Sequence, residues 1–203
     1  MSADSGHDKL LSIDHVNSTA FNTIKEGIDL QHKFKPGVDD LEAIATQIIL
    51  NSNLPSEVQA QYISEVNDQP YNGVGDNVGD KLVECFFRLR TNRLFSTLLP
   101  ETQEEISAML VGTASARVDE IINGNKRRSE TYIAQSKNII QLLTPLFEPI
   151  EPTNYLQQRA HSIIDKLRGS KDITGTADKT YMKLESHINT VLPNLSLVPA
   201  VSF

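Results

Sequence analysis

The stretch from Leu82 to Leu99, LVECFFRLRTNRLFSTLL, constrains this chain more than any other. Ten of its eighteen residues are Leu, Val, Cys or Phe, so a helix made from it is apolar on nearly every side and belongs inside a fold. Arg88, Arg90 and Arg93 interrupt that run. A guanidinium withdrawn from water must meet a carboxylate, a phosphate or a partner chain. Glu84, four residues before Arg88, is spaced to pair with it along a helix. Arg90 and Arg93 have no such local acid, so their partners come from elsewhere in the fold, from a second subunit or from a phosphate backbone.

The chain can build the interior that such a helix needs. It has 203 residues, 39% hydrophobic and 22% charged, which suits one domain or two small ones with a real core. No run of about eighteen apolar residues occurs, and MSADSGHDKLLS lacks the basic-then-apolar build of a secretory signal. The expectation is an intracellular, soluble, cytoplasmic protein without a membrane span. Cys85 is the single cysteine, which excludes an internal disulfide and fits a small buried hydrophobe.

Charge is distributed unevenly. Residues 1–80 hold 4 Lys and no Arg against 13 Asp and Glu, a net of −9, whereas residues 81–203 hold 15 basic against 13 acidic residues. An acidic head and an arginine-bearing body attract each other within one molecule or between neighbours.

Taken in order, the chain reads as helices. Val16, Ala20, Phe21, Ile24 and Ile28 repeat at helical spacing from about Asp14 until Lys35-Pro36-Gly37. Asp39 with Glu42 forms a capping-box pattern ahead of Leu41, Ile44, Ala45, Ile48 and Ile49. Pro55 suits the first turn of a helix with Val58, Tyr62, Ile63 and Val66. After the central stretch, Pro100 with Glu101, Glu104 and Glu105 opens a segment carried by Ile106, Met109, Leu110, Val118, Ile121 and Ile122, as one helix or two. Ser129 caps the next, which Pro145 bends; Thr153 opens another that Gly169 closes; the last runs from about Ala177 to Leu192. Nothing alternates at period two. The fold class is therefore all-α, an irregular helical bundle of roughly seven to eight helices with no significant sheet. A flexible segment over 1–12, a helical domain over 13–192 and an apolar tail over 193–203 divide the chain, with a candidate subdomain boundary in the Gly- and Asn-rich loop at 67–80.

Two constellations could take a partner or a phosphate. One is Arg88, Arg90 and Arg93. The other is Lys126, Arg127 and Arg128, the densest positive charge in the chain, in a turn before a helix N-terminus. Gly73, Gly75 and Gly79 followed by Lys81 superficially match phosphate-cradling loops, although turn-formers stand where the dinucleotide pattern needs a strand, so an interhelical connection is the expected role. The five histidines are scattered without ligand spacing, so no metal and no cofactor is expected. No serine-hydrolase elbow, kinase set or P-loop occurs, and the acidic pairs Asp39-Asp40 and Glu104-Glu105 sit in helix first turns where capping explains them. Ala114-Ser115-Ala116-Arg117 with Gly124-Asn125-Lys126 loosely resembles the central part of some rod-shaped plant-virus coat proteins, over a small fraction of the chain, and no residue role is carried over.

The leading expectation is a non-enzymatic α-helical interaction or structural protein, a subunit of a larger or self-associating assembly. A nucleic-acid-packaging, coat- or nucleocapsid-like subunit using the arginine sites is the alternative. A helical enzyme or small-ligand carrier, with a pocket formed only in three dimensions, is the third.

Overall fold

In a computed structural model of the chain, the described residues are 46, 49–50, 52–68, 78–148, 155–169 and 179–195. They are mostly helical and contain no strand, so the all-α class holds. Six helices longer than a turn or two are described: α1 (Ser56–Asn67), α2 (Val78–Thr91), α3 (Pro100–Gly124), α4 (Glu130–Leu142), α5 (Tyr155–Arg168) and α6 (Lys179–Val191). The count is lower than seven to eight because the helices expected over 14–35 and 39–50 lie outside the described residues, apart from residues 46, 49 and 50, which are helical. The segments 1–12 and 196–203, with Gly73 and Gly75, also lie outside them.

The long apolar stretch does not form one helix. α2 begins earlier, at Val78, and ends at Thr91, after which Phe95–Thr97 makes a short 3-10 turn. Asn92 is the reason. Its side-chain oxygen accepts from the Leu94 N–H at 2.9 Å, giving the backbone a local alternative to the next helical turn. The chain thereby turns before Phe95, which is buried.

The helix that is buried on all sides is α3. It runs unbroken through Gly112, and every residue from Ile106 to Val118 is buried. Gly112, Ala108, Ala114 and Ala116 are small, which lets neighbouring helices approach its backbone closely. Thr113 returns its hydroxyl to the Met109 carbonyl at 2.8 Å, so it needs no partner from outside. α2, α4 and α5 pack around α3, α6 closes against α4 and α5, and α1 lies on α2. Tyr62 and Val66 of α1 belong to the same apolar cluster as Phe86, Leu110, Ile140 and Ile164.

Local signals fix the helix ends. Pro100 occupies the first turn of α3 with Glu101 beside it. The Ser129 hydroxyl accepts from the Tyr132 N–H at 3.0 Å and caps α4. Gly169, at φ +74°, ends α5 in the left-handed region that favours glycine. The Tyr132 hydroxyl, buried between helices, donates to the Leu167 carbonyl at 2.9 Å and satisfies an orphan group of that helix end.

Packing outweighs this single hydrogen bond. Urea denaturation of Leu110→Ala should show a loss of about 2–5 kcal/mol, because Leu110 is fully buried in α3 and its truncation leaves a cavity. Tyr132→Phe should cost about 1 kcal/mol in the same measurement.

Candidate functional site

The three arginines of the central stretch meet three different surroundings. Arg88 is buried on α2 and pairs with Glu84 at 3.0 Å, as the helical spacing predicts, while also donating to the Val66 carbonyl at 3.3 Å. Arg93 follows α2 and is exposed, and its guanidinium lies 2.8 Å from Glu65 of α1. Asn92 donates to the other Glu65 oxygen at 2.9 Å. Hydrogen bonds from Asn92 and then Arg93 hold the Glu65 carboxyl below the usual carboxylate range. The acidic head thus supplies the partner that Arg93 lacked locally.

Arg90 is different. Its guanidinium stacks on the Phe95 ring, 4.3 Å from the centroid, and its Nε has no hydrogen-bond partner among the described residues. Burial pulls its pKa below the ordinary arginine value, against the opposing charges of Tyr62 and Glu104. The same burial pushes the Glu104 carboxyl up, against the pull of Arg90. Arg90 and Glu104 line one cavity of about 290 Å³ between α2, α3 and α5, with Phe95, Leu146 and Leu156 among its walls. Sequence reasoning read Glu104 as a helix-start residue; only the chain's return through Leu156 makes it a cavity wall.

A buried ion pair not visible in the spacing sits at the start of α2. Arg117 Nε donates to Asp80 Oδ1 at 2.8 Å and Nη2 to Oδ2 at 3.2 Å, a bidentate contact, with Glu120 taking Nη1 at 3.1 Å. Burial pushes the Asp80 carboxyl up, and the Arg117 hydrogen bonds oppose it. Gly79 and Lys81 of the glycine-rich candidate flank Asp80 within the first turn of α2. Gly79 is buried there, beside a carboxylate already engaged by Arg117.

Lys126, Arg127 and Arg128 are exposed in the turn between α3 and α4. The Lys126 carbonyl accepts from the Ser129 N–H at 2.9 Å, and the Arg127 carbonyl accepts from the Thr180 hydroxyl of α6. The Arg127 guanidinium lies over Gly169, where any side chain would collide with it. A cation thus stands at the C-terminal, negative end of the α5 dipole. Lys126 and Arg127 form no ion pair among the described residues.

Cys85 is buried, and desolvation pushes its thiol up to about 12, which leaves it protonated and unreactive at neutral pH. Among the described residues no group of three or more His, Cys, Asp or Glu converges, and no helix is long and apolar enough to cross a membrane.

Removing one partner of the buried pair should be far costlier than its net worth. Asp80→Asn and Arg117→Met should each lose about 3–5 kcal/mol in chemical denaturation, and the double variant should lose much less than the two combined. The Glu65 pKa is depressed by folding, so its contribution to stability is present above the unfolded carboxylate pKa and is lost as pH falls through the folded value. In an NMR titration, Arg93→Ala should move the Glu65 midpoint upward, toward the unfolded value.

No protein-family model, no curated protein and no solved structure matches this chain, so its function is argued from its own geometry.

Proposed function

We propose that this protein is a non-enzymatic α-helical interaction subunit that associates with further copies of itself, the basic turn of one meeting the acidic head of the next. The observation that carries this reading is the exposed turn Lys126–Arg128, where Lys126 and Arg127 have no ion pair among the described residues, in a chain whose first 80 residues hold a net charge of −9. Two acids of that head are spent elsewhere, Glu65 on Arg93 and Asp80 on Arg117. The turn is held in shape by the Ser129 and Thr180 hydrogen bonds, so a contact there orders little that is not already ordered. A head-to-turn contact is heterologous and repeats into a ring or a filament.

A nucleic-acid-packaging subunit is the second reading, and the same turn supports it. Three basic residues neutralise few phosphates, so one copy binds weakly; a row of copies would align them into a continuous basic line.

Sedimentation velocity separates these readings. Self-association should be present at low salt, vanish near about 1 M salt where the screening length is about 3 Å, and be lost in Lys126→Glu with Arg128→Glu. A monodisperse monomer at high protein concentration and low salt sinks the leading reading. Salt-sensitive binding of single-stranded RNA that disappears in Arg127→Ala with Arg128→Ala would favour packaging instead.

A further inference from the structure

Arg90 and Glu104 are opposite charges on the walls of one cavity, and neither is taken up by a direct ion pair or a side-chain hydrogen bond among the described residues. The neighbouring polar side chain is already committed: Gln103 donates to the Ser96 and Leu98 carbonyls at 3.3 and 3.0 Å and holds the 3-10 turn. Withdrawing a charge from water without a partner is costly, so what remains is a donor and an acceptor held apart with space between them. Arginine can only donate and an ionised glutamate can only accept. A group that satisfies both presents an acceptor to Arg90 and an N–H to Glu104 within one short edge. A planar amide has that edge.

The rest of the cavity selects for shape and charge. Phe95, Leu146 and Leu156 give it apolar walls suited to a flat ring, and its volume of about 290 Å³ is at the small end for ligand pockets. An anionic ligand would satisfy Arg90 while facing Glu104 and Glu148; a cationic one would satisfy the carboxylates while facing Arg90. The geometry points to a binding site for a small neutral aromatic or heteroaromatic carboxamide, its carbonyl oxygen accepting from Arg90 and its amide N–H donating to Glu104. This site is independent of the basic turn and of self-association.

The intact chain titrated with benzamide, followed by backbone amide NMR shifts, tests the assignment, with benzoate and benzamidine as parallel arms. Benzamide should give saturable shifts confined to α2, the start of α3 and the start of α5, and should bind more tightly than either charged analogue. Glu104→Met, which keeps the side-chain volume of a half-buried position, should weaken benzamide about tenfold or more. Arg90→Met should do the same. A retained wild-type fold in the Glu104 variant, read from its amide spectrum, separates loss of the site from loss of structure. Tighter binding of benzoate would assign an anion site to Arg90 alone, and tighter binding of benzamidine a cation site to the carboxylates; either overturns the proposal. So does an absence of saturable benzamide binding, or an unchanged affinity in a folded Glu104→Met.

Discussion

A helix enclosed on every side has no face to give to water, and that constraint governs this fold. α3 meets it in two ways. Its apolar and small residues let α2, α4 and α5 close around it, and its polar residues find partners inside the bundle. Arg117 is the extreme case, nearly fully buried and met by Asp80 from 37 residues earlier in the chain. That contact ties the start of α2 to the middle of α3, so the register between the two most extensively packed helices is set by charge as well as by shape. Were either partner absent, the other would stand desolvated beside an otherwise apolar interface.

Much of the helical architecture is written locally. Pro100 and Ser129 open helices and Gly169 closes one as their chemistry requires, and the apolar spacing of α4, α5 and α6 is plain. What is not local is not legible in this way. Asn92 looks like one polar residue in an apolar run, yet its reach to the Leu94 N–H ends α2 and creates the corner at Phe95. The Arg88–Glu84 pair obeys helical spacing and could be anticipated, whereas Arg93–Glu65 and Arg117–Asp80 span 28 and 37 residues and depend on how helices pack. The cavity beside Arg90 depends on the return of α5, which no single segment encodes.

The arginines that looked alike in sequence therefore do different physical work. Arg88 satisfies a buried carboxylate and a carbonyl, and its loss would strand both. Arg93 is exposed, where solvent screening leaves an ion pair with little net effect on stability. Arg90 keeps its charge against an aromatic face, which supplies attraction without using up its donors. Only the third arrangement leaves hydrogen-bonding capacity directed at empty space, and an identical residue type serves structure or recognition according to what the neighbouring helices bring.

Arg127 joins parts of the molecule that are distant in sequence. Its carbonyl holds Thr180 at the start of α6, and its guanidinium covers Gly169 at the end of α5. The loop between α3 and α4 consequently opens only when those two helix ends loosen as well, and the three form one cooperative unit of local unfolding. Anything that grips the loop from outside will slow hydrogen exchange at the ends of α5 and α6, where it makes no contact. Binding at the surface would in that way be registered in the depth of the bundle.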